Sequence, residues 1–163
     1  MAEAPWLSLE TQGLVTLLLR SHQRAFGQPL LACDRSGNAR RLICQELFAA
    51  DMAVLAHDGA ALDAGEGPRL TYANANALRL WQRPWSAMVG MPSRRTAPES
   101  ERRERAQALN TAQQRDAFRG YRGIRIDRNE RRFVINNARI WTLWDGDGRA
   151  CGQAAAFADW WLL

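Results

Sequence analysis

Two histidines, His22 and His57, three cysteines and 22 arginines with no lysine are the side chains from which this 163-residue chain could build a reactive site. Two histidines do not make a metal set, and none of Cys33, Cys44 and Cys151 stands at the two-residue spacing of a zinc knuckle or redox pair. The His57-Asp58 doublet would serve phosphoester hydrolysis only with further metal-ligating histidines, which the chain lacks, so it reads as part of a turn. Asp145-Gly146-Asp147-Gly148 has the start of a calcium loop without its closing glutamate, and a hairpin turn accounts for it. Without lysine there is no Schiff-base or P-loop chemistry, and neither a nucleophile elbow nor a dinucleotide glycine fingerprint occurs. Arg139 is a lone cation in an apolar run, so it must face water, pair with an acid or receive an anionic ligand.

These residues need a scaffold, and the composition, with 47% hydrophobic and 24% charged residues, is that of one ordinary globular domain. Leu17-Leu18-Leu19 is far short of the ~20 apolar residues of a membrane span, and the Met-Ala-Glu-Ala-Pro start is no secretory signal, so a cytoplasmic location is expected. The net charge of +5 is concentrated in residues 91–149, which hold 14 arginines against 8 acids. Arg94, Arg95, Arg102, Arg103 and Arg105 could grip nucleic-acid phosphates, but Glu99, Glu101 and Glu104 dilute their field.

Ser8 caps an amphipathic helix carrying Leu14, Val15, Leu18 and Leu19, which Gly27-Gln28-Pro29 stops. Residues 33–38 read as a turn, and 39–50 as a second helix. Residues 52–56 form a short apolar strand running into the His57-Asp58-Gly59 turn, and 69–72 a second strand. Asn74 caps a helix over 75–81, Pro84 opens a short one, and 99–114 reads as a solvated helix of opposite charges. From Gly120 the period becomes 2: strands cover 121–127, 133–144 and 151–160, with a phase slip near Asn136-Asn137 that a bulge would reconcile.

This order predicts an α+β domain: a five-stranded antiparallel sheet with short helices on one face and an N-terminal helical extension over residues 1–46. Residues 47–163 resemble the MEKHLA domain in its stand-alone bacterial form, a relative of PAS sensory domains. The resemblance is carried by Leu-Thr-Tyr-Ala-Asn-Ala-Asn-Ala-Leu (70–78), Arg-Arg-Phe-Val-Ile (131–135), Ile-Trp-Thr-Leu-Trp-Asp (140–145) and Cys-Gly-Gln-Ala-Ala-Ala-Phe (151–157). It implies a PAS-like fold, a sensory or interaction role and dimerisation through N-terminal helices. It leaves the cofactor unknown, since PAS relatives hold haem, flavin, organic acids or nothing.

Within that frame Gln153 shares a strand face with Cys151, Ala155 and Phe157 and is a candidate ligand contact, as a glutamine at a similar place is in light-sensing relatives. Those relatives' reactive-cysteine motif is missing, which argues against adduct photochemistry. Tyr72, Asn74, His57, Arg139 and Trp141 complete the candidate set. Asn74 serves first as a helix cap, and Trp141 and Trp144, of opposite parity, cannot both line one pocket. The expected function is a regulatory domain binding a small, aromatic or anionic molecule between sheet and helices and acting through a homodimer or a partner protein. An enzyme using His57, Gln153 and Arg139, and an arginine-rich interaction module, are the alternatives.

Overall fold

Ser8 opens the first helix, α1 (Leu9–Phe26), by accepting the Thr11 N–H at 3.1 Å, and Gly27 closes it at a φ of 68° that suits glycine. The computed structural model describes residues 3–32 and 39–163, so the turn expected over 33–38, with Cys33, lies outside the described residues. The elements that follow are α2 (Arg40–Phe48), β1 (Ala53–Asp58), β2 (Leu70–Ala73), α3 (Ala75–Trp81), α4 (Trp85–Met88), α5 (Arg102–Arg115), β3 (Ala117–Ile126), β4 (Arg132–Trp144), β5 (Ala150–Phe157) and β6 (Asp159–Leu162). Tight 3-10 turns at Ser93–Thr96 and Glu99–Glu101 lead into α5.

The strands form one antiparallel sheet in the order β2-β1-β5-β4-β3, with β6 also on β4. β5 and β6 divide the run expected over 151–160: β5 pairs with residues 139–144 of β4, and β6 with residues 133–136. The break lies beside the expected phase slip. Asn137 has a φ of 53°, and Phe133 and Ile135 before it face the same core as Ala138 and Ile140 after it. At the other end of β4, Asp145 Oδ1 accepts the N–H groups of Asp147 and Arg149, each at 2.9 Å, which fixes the hairpin into β5.

The short helices α3 and α5 close one sheet face over Ile135, Ile140 and Phe157, while α1 and α2 of the N-terminal extension bury Val15, Leu18, Leu19 and Leu47 against Val54, Ala56, Trp141, Ala154 and Ala156 on the other. The apolar stripe of α1, which the resemblance assigns to dimerisation, therefore lies on its own sheet. His57 and Asp58 extend β1 instead of turning, because β5 supplies Gln153 and Gly152 as their partners. The helix read as solvated turns Arg105, Leu109 and Ala112, spaced four and three apart, into the interior.

Asn74 locks the β2–α3 corner. Its Oδ1 accepts from Ala77 N at 3.2 Å and Val54 N at 2.9 Å, while its Nδ2 donates to the Leu47 and Met52 carbonyls. The cap thus also ties α2 to β1. Asn74→Ala removes four hydrogen bonds to backbone groups and is expected to lower stability by about 2 kcal/mol in urea unfolding. Asn74→Asp, which restores the acceptor but no donor, should recover only part of that loss.

Candidate functional site

On the α5 face of the sheet the side chains do not meet completely. A cavity of about 50 Å³ remains, walled by Leu55, Leu70, Leu109, Ile135, Ile140 and Phe157, with Trp81 to one side. This is several times the ~10–15 Å³ needed to admit one water and well below the ~300–1,000 Å³ of pockets that enclose drug-sized ligands. It has room for a small group only. Outside it runs an open groove of about 540 Å³ between α5 and β3, and Arg105, Tyr121 and Arg125 line both spaces.

The cavity's polar atoms form one directed chain. Gln153 Nε2 donates to the Leu109 carbonyl at 3.1 Å, which orients the amide so that Oε1 faces His57 Nε2 at 3.0 Å. An amide oxygen only accepts, so His57 carries its proton on Nε2 and presents Nδ1 as the acceptor for the Ser93 hydroxyl at 3.1 Å. Ser93 Oγ in turn accepts from the Arg105 guanidinium at 3.1 Å. The chain begins and ends on α5, at Arg105 and Leu109, one helical turn apart, and passes through β1 and β5. Beside it Arg125 donates to Tyr121 Oη at 3.0 Å, across Gly123. A Cβ on Gly123 would stand 2.8 Å from the Arg125 guanidinium and closer still to the Tyr121 hydroxyl, so glycine is what lets the two meet.

Of the six candidate ligand contacts, Gln153, Asn74, Arg139, Trp141, Tyr72 and His57, only His57 and Gln153 line this cavity. Trp141 points to the other face and donates from its indole to the Leu18 carbonyl at 3.2 Å. Arg139 shares that face, where it donates to His22 Nε2 at 2.9 Å, a partner outside the three expected for it, and His22 Nδ1 meets the Gln28 carbonyl. Tyr72 lies edge-on to Trp85 in the α1 and α2 core, where burial pushes its phenol upward. Asn74 has its amide engaged in the corner already described. Ser93, Tyr121 and Arg125 were not among the candidates, and Arg105, read as a possible phosphate contact, lines the cavity instead. The spacing 105, 109, 112 and the shared parity of 121 and 125 are the signals that could have found them.

The donor set does not suit a metal, haem or flavin here. Both His57 nitrogens are engaged, no group of three potential metal ligands occurs among the described residues, and the cavity is too small for a tricyclic ring. Cys44 and Cys151 both border the core under α1 and α2, away from the cavity.

The topology and this sheet-and-helix cavity define a PAS-like sensory-domain fold, and solved structures agree. An RNA-binding Light-Oxygen-Voltage receptor superimposes with a TM-score of 0.63 at 17% identity, over 79% of this chain and 35% of its own, so the chain spans about a third of that receptor. A PAS domain from Colwellia psychrerythraea gives 0.61 at 8% identity, over 71% and 92%. A fungal LOV domain photoreceptor gives 0.57 at 14%, over 91% and 93%. No curated protein matches the sequence. The MEKHLA domain model matches residues 12–162, and the chain belongs to that family. The match begins inside α1, ahead of the boundary expected at residue 47.

His57 offers a test of the site. Burial first, and then the Arg105 charge, pull its pKa down to about 4, with the Gln153 bond opposing. The native state thus holds His57 neutral where the unfolded chain, with a pKa of about 6.5, takes up a proton. Its contribution to stability is complete above pH 6.5 and is lost as the pH falls towards 4, by up to about 3 kcal/mol. Urea unfolding at pH 7.5 and 4.5 should show that slope, and His57→Gln should flatten it.

Proposed function

We propose that this chain is a PAS-like regulatory domain that binds a small molecule between its sheet and α5 and acts through contacts with another protein. The observation that carries this reading is an incompletely filled apolar cavity whose wall holds a continuous buried hydrogen-bond chain from Arg105 to Leu109. Pockets of this make-up, apolar with a few convergent polar groups, are the usual form of small-molecule sites. A ligand that binds better to one arrangement of α5 and the sheet than to another would shift their populations, which is the physical content of sensing.

The geometry favours this over the alternatives. The enzyme reading needs His57, Gln153 and Arg139 together, and Arg139 is across the sheet. The interaction module needs an outward arginine cluster, but Arg105 points inward, and Arg94 and Arg102 donate to the Gly65 and Ala97 carbonyls. Arg95 and Arg103 remain as the exposed pair, too few for a strong phosphate grip.

A thermal-shift screen of small metabolites should find at least one that raises the melting temperature saturably. Ala155→Leu, which fills the cavity, should abolish the shift while the apo protein still unfolds cooperatively. No stabilising compound, together with no molecule retained in native mass spectrometry, would overturn the reading.

A further inference from the structure

Arg105 and Arg125 are each more than nine-tenths buried, and among the described residues neither forms an ion pair with a carboxylate. Burying a charge without a counter-charge is among the most expensive things a fold can do, and two like charges side by side make it worse. Arg105 shows the strain: burial, and next the Arg125 charge, pull its pKa down to about 9. Its hydrogen bonding is also incomplete. One terminal nitrogen reaches Ser93, while its buried Nε has no partner. Arg125 has only neutral acceptors, the Ile124 carbonyl and the Tyr121 hydroxyl. Among the described residues the one buried carboxylate, Asp127, is taken by Arg131 at 3.0 Å, and Glu101 and Glu104 stand along the outer groove without pairing to either guanidinium.

We propose that Arg105 and Arg125 together bind the carboxylate of a small organic acid, whose short apolar part occupies the cavity beneath them. The proposal rests on the small-molecule reading above and adds the class of ligand and the residues that select it. A carboxylate supplies the missing negative charge and offers two acceptor oxygens to two guanidinium groups, the pairing in which such bonds are strongest. It enters from the open groove, because the two arginines and Tyr121 line both that groove and the cavity. A free inorganic anion would satisfy the arginines alone and leave the Leu55, Ile140 and Phe157 surface uncovered. The apolar cavity therefore favours an anion with a short aliphatic or single-ring tail. Once bound, it touches the Arg105 end of the chain that runs through Ser93 and His57 to Gln153, which links occupancy to both central strands.

The test compares acids with their uncharged amides at constant ionic strength. The probes are butyrate, hexanoate and benzoate, the matching amides, and inorganic phosphate, each read by thermal shift and calorimetry on the full chain. At least one carboxylate should stabilise saturably, its amide and phosphate at least tenfold more weakly. Arg125→Gln should weaken that carboxylate at least tenfold without lowering the melting temperature of the apo protein, since it removes a buried, unpaired charge; a purely structural arginine would lower it. Gly123→Ala, which displaces the ends of Tyr121 and Arg125, should weaken binding in the same direction. Equal stabilisation by acid and amide, or by amides alone, overturns the anion assignment and leaves the small-molecule reading standing. Phosphate as effective as the carboxylates overturns the organic-acid assignment. No response to any carboxylate overturns the proposal, and the metabolite screen then decides the broader reading separately.

Discussion

A buried imidazole with both nitrogens engaged has a single tautomer, and in this protein that constraint organises the interior. His57 and Gln153 face each other across β1 and β5, and their bond couples the direction of the links from Leu109 to Ser93. If the amide were reversed, the Leu109 carbonyl and Gln153 Oε1 would confront one another with no proton between them. The apolar cavity, the position of α5 and the inward placing of Arg105 are consistent with one another only when this chain runs in one sense. A directed polar chain of this kind specifies one packing, where an all-apolar interior would tolerate several.

Local signals in the sequence were readable because they act within a few residues. Ser8, Asn74 and the Asp145 turn each satisfy backbone donors close by, and the structure finds each doing so. The phase slip at Asn136-Asn137 was readable for a similar reason: two apolar pairs out of step on one strand can share a core only if a residue is added between them. The site was much less legible. Alternation sorts Trp141 and Arg139 onto one face and Gln153 onto the other, but it cannot say which face carries the cavity until the helices covering each are known. Arg105 was hidden differently, as one of many charges in a helix whose apolar stripe is narrow. Only tertiary packing turns that side towards the sheet.

The same packing explains why likeness to sensory domains does not transfer their chemistry. The chain shares the sheet order and the short helices with light-sensing structures at identities of 14–17%, a level at which the backbone is held in common and the side chains are not. Here the interior has a narrow cavity and two inward guanidinium groups, with Cys44 and Cys151 bordering the opposite face. Membership of the MEKHLA family settles the architecture, and what the interior recognises has to be argued from these residues.

Consecutive side chains on β5 project to opposite sides, so a single thickness of polypeptide separates the hollow at Gln153 from the alanines of the core that α1 covers. Ala154 and Ala156 present only methyl groups to the core they share with Val15 and Leu18, so that side of β5 has no side-chain freedom with which to take up a lateral displacement. Larger residues there could absorb such a shift by changing rotamer, a freedom alanine does not have. The partition between the two halves of the molecule is, in mechanical terms, a thin diaphragm.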